Sequence, residues 1–451
     1  MVRRKKKSTI NLTEGPIIEN ILLFAAPLFL GQLLQQFYNM ADAWVIGNFA
    51  SNDAFAAVSS AGSMTFLVVG LFNGIAIGGG VIISKYFGAG QKENVIKAIH
   101  TNFLFGIISS VLSTIVGLLF MPYILVWMKT PENVMPYSLS YFTIYFAGVS
   151  TIIMYNICMS IMRALGDSIH PLYYLILSSV INVVLDLLFV AVFQWDVAGA
   201  GIATVIAQGI SVILCLRQMC KVDDYTRLDF SKIHFYKDMM LEVIKQGFPT
   251  GIQNAVISIG NLTVQTNINS FGAYAMAGVG AYSKIEGFVF LPIMSMSMSL
   301  PTFVSQNLGA GKVDRAKKGS VFGIILGMIT AELMGVIIYF TAPSILKVFV
   351  DTVESINYGT IHARVTAPFF LLLAFSHCAA GALRGCGKAY IPMATMLAFW
   401  CGIRVIYVTS ILKFISEFQM ISWAYPLTWS LSSVVFFVVL IKMDWTRAFY
   451  I

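Results

Sequence analysis

The second half of this 451-residue chain repeats landmarks of the first half 221 positions later. The paired landmarks are Ser84 and Ser305, Gly88-Ala89-Gly90 and Gly309-Ala310-Gly311, Lys97 and Lys318, Pro122 and Pro343, Arg163 and Arg384, Gly166 and Gly387, and Pro171 and Pro392. The offset does not drift between the first pair and the last. A constant register of this kind predicts two copies of one structural unit.

The composition places that unit in a lipid bilayer. Hydrophobic residues make up 58% of the chain and charged residues only 11%, whereas a soluble domain carries about 25% charged residues. Apolar runs long enough to cross about 30 Å of hydrocarbon recur along the whole chain. They are far longer than the segments of roughly ten residues, with alternating hydrophobicity, that form the strands of a membrane β-barrel. We therefore predict an all-α polytopic membrane protein.

Twelve transmembrane helices are predicted. Their spans are 17–47, 54–84, 95–120, 137–162, 171–194, 197–218, 239–269, 274–305, 316–341, 355–382, 392–413 and 421–442. Each half contains an even number of helices, so both halves begin and end on the same side. This predicts two parallel six-helix repeats, related by an axis along the membrane normal, around a central cleft.

The polar stretch between the halves predicts the domain boundaries. We predict an N-terminal segment at 1–16, an N-lobe at 17–218, a linker at 219–238, a C-lobe at 239–442 and a tail at 443–451. Asp223, Asp224, Arg227, Asp229 and Lys232 interrupt the hydrophobic pattern in the linker.

The distribution of basic residues predicts the orientation. With Arg3, Arg4, Lys5, Lys6 and Lys7 in the cytoplasm, only Lys129, Lys347 and Lys413 fall outside, and Lys284, Arg364 and Arg404 fall within spans. Such asymmetry follows the positive-inside rule. We therefore expect a multi-pass protein of the cell membrane with both termini cytoplasmic. The net charge of +8 is explained by this topology and by contact with lipid, and no nucleic-acid partner is expected. The first apolar run is too long for a cleavable signal peptide.

Carboxylates inside membrane spans are costly and are functional hypotheses by default. Asp42 lies on helix 1 with Gln35, Tyr38 and Asn39 on the same face. Asp186 lies on helix 5 one turn after Asn182, and the hydroxyl of Thr204 on helix 6 is a plausible further oxygen. In the repeat, Asp186, Asn182 and Thr204 map to Tyr407, Ile403 and Tyr425, so the acidic cluster exists in one half only. This asymmetry favours a specialised cation site, which we assign to Asp42, Asn182, Asp186 and Thr204.

A broader set of polar residues is predicted to line a substrate cleft: Gln35, Tyr38, Asn39, Tyr141, Asn156, Asn254, Asn261, Gln265 and Glu286. Asn254, Ser258, Asn261 and Gln265 form a polar stripe on helix 7. Hydrogen bonding between helices explains these stripes equally well. For Glu286, an ion-pair network with Lys284, Arg364, Arg404 or Glu332 is the alternative.

The chain resembles transporters of the multidrug and toxic compound extrusion family, in the branch related to bacterial DNA-damage-inducible exporters. The resemblance is carried by the loops Met162-Arg163-Ala-Leu-Gly166-Asp167 and Leu383-Arg384-Gly-Cys-Gly387-Lys388, the Gly-Ala-Gly turns and the segment Gly199-Ala-Gly-Ile-Ala-Thr204. It implies export of organic, often cationic compounds driven by inward H⁺ or Na⁺ flow. In that branch coupling is attributed to residues that match Asp42, Asn182, Asp186 and Thr204.

Other classes of function have less support. A flippase for a lipid-linked saccharide or another amphiphile is the alternative to an efflux antiporter. No catalytic constellation is evident, Gly78-Gly79-Gly80 lies inside a span without a following Gly-Lys, and the six cysteines show no metal-type spacing. We therefore expect no enzymatic activity and no cofactor other than the coupling ion, H⁺ or Na⁺. The expected partners are a small organic substrate and lipid, and the protein is expected to be a monomer.

Overall fold

The computed structural model describes residues 9–127, 130–222 and 225–449, with the side chains at 52–56, 59–69 and 127 left out. All regular secondary structure in these ranges is helical. The sixteen α-helices are α1 Ile17–Phe49, α2 Asn52–Gly88, α3 Lys92–Trp127, α4 Met135–Ala147, α5 Val149–Ala164, α6 Ile169–Asp186, α7 Asp196–Lys221, α8 Lys237–Asn269, α9 Ala273–Gly309, α10 Val313–Leu346, α11 Val353–Thr366, α12 Phe370–Gly385, α13 Tyr390–Met396, α14 Arg404–Ile411, α15 Phe418–Ser422 and α16 Ala424–Lys442. The predictions made for Arg3 to Lys7, Lys129, Asp223 and Asp224 lie outside the described residues.

These helices account for the twelve predicted spans. Among the described residues, ten helical segments are long and apolar enough to cross a membrane, and the pair α4 and α5, bent by 44° at Gly148, makes an eleventh. The twelfth is α8, whose 33 residues are long enough to span but carry more polar side chains. The prediction of an all-α membrane protein with twelve spans is confirmed.

Several spans are built from more than one helix. A π-helical turn, Leu187–Val192, continues α6, and a second one, Leu397–Ile403, joins α13 to α14. A 3₁₀ turn, Ala367–Phe369, joins α11 to α12. Most helices also extend beyond the predicted ends, as α3 does, because polar residues continue a helix past the hydrocarbon core.

The repeat is visible in the turns that end the helices. Gly90 and Gly311 have φ of 66° and 71°, and Gly166 and Gly387 have φ of 87° and 77°. After both α5 and α12, the N–H three residues past the end of the helix bonds back: Asp167 N–H donates to Met162 O and Lys388 N–H donates to Leu383 O, each over 3.0 Å. This is the Schellman ending, which favours glycine in the left-handed conformation. The repeated glycines are therefore explained by local geometry.

The chain divides into two compact units. Unit 1 contains Met1–Asn11 and Leu30–Gly251, and unit 2 contains Leu12–Phe29 and Ile252–Ile451. Helices α1 and α8 thus each contribute one part to each unit. Unit 1 has a large apolar core that includes Ile83, Ile99, Phe142 and Ile157, all almost fully buried.

Two features hold the mixed helices within their units. In unit 1, α2 and α8 cross at glycines: a Cβ on Gly78 would overlap the backbone of Gly247, and one on Gly74 would overlap Gly251. The two helices each present a Gly-xxx-Gly pair, which permits close approach of membrane helices. In unit 2, Arg315 donates to the backbone oxygens of Leu12, Glu14 and Gly15 and so ties the start of α1 to α10.

Candidate functional site: a carboxyl cluster in unit 1

Helix α1 presents Tyr38 and Asp42 one turn apart, and both are half-buried. Gln35 and Asn39, predicted on the same polar stripe, are exposed. The stripe therefore divides: the i, i+4 pair turns towards the interior of unit 1, and the neighbouring amides do not.

Helix α6 buries the second half of the cluster. Asn182 and Asp186 lie one turn apart, with exposed fractions of 1% and 0%. The π-helical turn begins directly after Asp186, and such turns are frequent at functional sites. Gly199 of α7 packs against Phe189 of this turn, so the small residues at the start of α7 let it approach α6 closely.

The carboxyl groups of Asp42 and Asp186 lie within hydrogen-bonding range of each other. With its amide oriented to satisfy both neighbours, Asn182 Nδ2 donates to Asp186 Oδ2 over 2.9 Å and Asn182 Oδ1 accepts from the backbone N–H of Thr204 over 3.2 Å. The side chains of Tyr38 and Thr204 also lie within interaction range of each other. Three helices therefore contribute to one connected polar network.

An apolar layer lies one helical turn away. Val45 and Ile46 of α1, Val190 of the π-helical turn and Ala200 of α7 form a buried cluster. Because these residues follow or precede the polar ones by about one turn, the same helix contacts that bring the carboxyl groups together also seal one side of them against hydrocarbon.

The network has no basic partner among the described side chains. The neighbouring charges acting on Asp186 come from Asp42, and Tyr141 on α4 lies within electrostatic range of both carboxyl groups. Asp42 Oδ1 and Asp186 Oδ1 are buried and accept no hydrogen bond from the described residues. Two carboxyl groups in contact in a low-dielectric site share a proton or a cation, because two bare charges repel. The paired carboxyl groups can therefore bind one proton or one cation.

The structure brings together the four residues assigned to the cation site, Asp42, Asn182, Asp186 and Thr204, and adds Tyr38 and Tyr141 from the broader set. Asn156 instead donates to Ile152 O of its own helix over 2.9 Å. No group of three or more His, Cys, Asp or Glu side chains suited to a metal occurs in the described part of the chain. A Na⁺ ion would rely on the amide and hydroxyl oxygens as well as the carboxylates.

Unit 2 contains a different polar cluster, around Arg404. Arg404 is 1% exposed, and its guanidinium donates to Thr428 Oγ1 over 2.8 and 3.2 Å and to Asn261 Oδ1 over 3.0 Å. It also lies over the rings of Trp400 and Tyr425, at 5.3 and 4.7 Å from their centroids. Asn261 of the predicted cleft set thus serves as an acceptor for a buried cation.

The remaining predicted cleft residues are spread over unit 2. Gln265 is exposed and donates to Asn269 over 2.9 Å, and the backbone oxygen of Asn254 accepts from Ser258. Glu286 is half-buried within electrostatic range of Arg404. Sequence reasoning did not identify the role of Arg404; the available signal was an arginine inside a span.

The ion-pair network weighed for Glu286 does not form among the described residues. Glu332 accepts the backbone N–H of Leu371 over 3.0 Å instead, which satisfies a donor at the break between α11 and α12. Arg364 lies over the ring of Tyr339, and Lys284 is exposed. Glu332, Arg364 and Lys284 thus lie in separate surroundings, and Arg404, although within electrostatic range of Glu286, donates its hydrogen bonds to Thr428 and Asn261.

Arg384, the counterpart of Arg163 in the repeat, is buried. It donates to Ser297 Oγ over 3.0 Å and to Gln253 Oε1 over 3.4 Å. The landmark arginine of the second repeat therefore ties α12 to α8 and α9 within unit 2.

Replacing Arg404 with Lys is expected to lower the stability of the protein. Lysine keeps the charge but cannot reach Thr428 and Asn261 together, and hydrogen bonds to charged groups contribute about 1.5–3 kcal/mol each. Thermal unfolding in detergent measures the change. Arg364→Lys is the matched control, since Arg364 is exposed, and equal melting temperatures for the two variants would contradict the role assigned to Arg404.

Comparison with known proteins identifies the family of this chain. The family model described as MatE matches residues 27–188 and 249–408, one segment in each half of the chain. This chain belongs to the MatE family. The prediction of a transporter of the multidrug and toxic compound extrusion family is thereby confirmed.

Relatives of this MatE chain match over most of their length. It is 25% identical over 393 residues to the "Probable multidrug resistance protein YpnP" of Bacillus subtilis, covering 86% of this chain and 87% of the relative. It is 21% identical over 415 residues to the "Multidrug export protein MepA" of Staphylococcus saprophyticus, covering 91% and 90%.

A solved structure confirms the fold. An outward-facing conformation of a multidrug resistance MATE family transporter superposes with a TM-score of 0.89 at 19% identity, covering 95% of this chain and 96% of the other. This likeness places the twelve spans in the MATE fold.

Proposed function

We propose that this chain is an efflux antiporter that exports small organic, cationic or amphiphilic compounds from the cell in exchange for H⁺ or Na⁺. The coupling ion binds to the carboxyl cluster of unit 1, at Asp42, Asn182, Asp186 and Thr204. The observation that carries the proposal is the direct contact of two carboxyl groups in a buried site with no basic partner among the described residues. The names of the relatives, a multidrug resistance protein and a multidrug export protein, support the substrate class.

Coupling requires that the ion prefers one conformation of the protein. An ion shifts a conformational equilibrium only by its difference in affinity for the two states. The cluster meets this condition, because its oxygens come from three helices and a movement of α1 against α6 and α7 would separate Asp42 from Asp186. Binding of the ion would then favour the contact, and its release would favour separation.

Transport in proteoliposomes tests the proposal. A fluorescent organic cation is loaded, and Na⁺ and pH gradients are imposed in separate experiments. We expect the substrate to be transported in the direction opposite to the flow of at least one of the two ions. The ionophore that dissipates the gradient of that ion should stop this transport. Transport that responds to neither gradient, together with translocation of a fluorescent lipid-linked saccharide, would reject the antiporter and support the flippase.

A further inference from the structure

Unit 2 contains an apolar cavity of about 210 Å³ between the first part of α1 and the helices α9 and α10. Leu22, Ala26 and Phe29 form the α1 wall, and Pro292 and Met296 form part of the opposite wall. This cavity is separate from the carboxyl cluster, which belongs to unit 1.

The polar atoms of the wall are already in use. Ser295 Oγ donates to Leu291 O over 2.6 Å, and Thr330 Oγ1 donates to Leu326 O over 2.8 Å. Both hydroxyls thus bond to their own helices and leave methyl, methylene and thioether groups as the binding surface. An apolar cavity of roughly 150 Å³ or more stays dry and accepts apolar ligands.

The cavity persists because α1 is held at its base and cannot close onto α9. Arg315 and Asn307 donate to Leu12 O just before α1 begins. Higher up, the wall of α1 offers the small side chains of Ala25 and Ala26, and Pro292 interrupts the hydrogen bonding of α9. Helix α1 is therefore fixed to α9 and α10 at one end, and further along the side chains leave the space between these helices unfilled.

The size and surroundings of the cavity define its occupant. Pockets for drug-sized ligands measure about 300–1,000 Å³, so this cavity is too small for a whole molecule of that kind and suits part of one hydrocarbon chain. Its walls are membrane-spanning helices. Leu22 at its edge is 42% exposed, so the cavity is accessible at a depth where the surrounding solvent is lipid.

A lipid held here would have its headgroup near a basic end of α10. Lys317 and Lys318 are exposed. They lie about 12–14 Å from Leu326 along the axis of α10, at a rise of about 1.5 Å per residue. Half of the hydrocarbon core is about 15 Å thick. An acyl chain can therefore enter the cavity while an anionic phosphate stays close to these lysines, which attract it.

We propose that the cavity is a binding site for one acyl chain of an anionic membrane phospholipid. This proposal is based on the cavity and does not depend on which ion drives transport. The test uses proteoliposomes of phosphatidylglycerol that contain a trace of phosphatidylglycerol with a photoreactive diazirine in one acyl chain. After irradiation, labelled peptides are located by mass spectrometry.

The expected label is concentrated on 22–29, 292–296 and 326–330, several-fold above 333–337 of α10, where Leu333, Val336 and Ile337 are exposed. Ala26→Phe fills the cavity and should reduce this label to the level of 333–337, whereas Ala43→Phe, at an exposed alanine of the same helix, should leave it unchanged. Thr330→Phe fills the cavity from the opposite wall and replaces Ala26→Phe as the test variant if the latter does not fold.

Three results would overturn the proposal. They are uniform labelling of all lipid-exposed segments, labelling that survives both filling variants, and displacement of the label by excess of the transported organic cation. The last would make the cavity part of a substrate site. Retained transport in a filled variant leaves the antiporter standing while removing the lipid, so failures of the two proposals are distinguishable.

Discussion

Asp186→Asn is expected to reduce gradient-driven export of an organic cation by about tenfold or more, since a charge-assisted contact contributes about 1.5–3 kcal/mol. The amide has the size of the carboxyl group but cannot take up the proton or balance the cation that the cluster is proposed to exchange. Asp42→Asn should have the same effect, because the two groups act through one shared contact. Initial rates in proteoliposomes with equal amounts of protein measure the loss.

Asp196→Asn is the matched control for these variants. Asp196 is a carboxylate of the same unit that accepts from Ser51 Oγ over 3.2 Å on the surface. Its φ of 53° is a conformation that asparagine also adopts readily. Export should remain near the wild-type rate. Undiminished driven export by Asp186→Asn and Asp42→Asn would remove the cluster from the coupling mechanism.

Gly78→Ala is expected to destabilise the protein by about 1–3 kcal/mol, the usual cost of inserting a methyl group into a packed contact. The added Cβ would overlap the backbone of Gly247 and Gln246, and backbone atoms cannot rotate away as a side chain can. Helices α2 and α8 would have to separate at their closest approach. Thermal unfolding in detergent should show a clear decrease in melting temperature.

Gly280→Ala is the comparison for this substitution, because a Cβ at Gly280 meets no atom within 4 Å. It also lies within a long helix, so the two changes share the same gain in helix propensity. The melting temperature of Gly280→Ala should equal or exceed that of the wild type. If Gly78→Ala melts at the same temperature as Gly280→Ala, the glycine crossing does not contribute to stability.

Much of the fold was predictable because it depends on local chemistry. Apolar length determines which segments span the bilayer, and the turns at Gly90 and Gly166 and their counterparts require a left-handed residue after each helix. The acidic cluster was predictable for a related reason. Asp42 and Asp186 are carboxylates in spans where charge is costly, and the second repeat has no carboxylate at the corresponding positions.

Other features depend on neighbours that are distant in sequence. The spacing of Gln35, Tyr38, Asn39 and Asp42 predicts a common face, but only the approach of α6 and α7 selects Tyr38 and Asp42. The bend at Gly148 and the π-helical turn after Asp186 likewise follow from packing between helices. The same holds for Arg404, whose acceptors Asn261 and Thr428 come from α8 and α16.

Composition, segment length and the internal repeat were sufficient to predict that this protein lies in a lipid bilayer, that it has a duplicated twelve-span architecture, and which of its polar residues are costly to bury in a membrane. These three properties can be read from the chain without knowledge of contacts. The packing of the helices was needed to show which costly residues share a site: Asp42 with Asp186 in unit 1, and Arg404 with Thr428 and Asn261 in unit 2. This is because hydrogen bonds act over about 3 Å, and which side chains approach so closely depends on how whole helices pack.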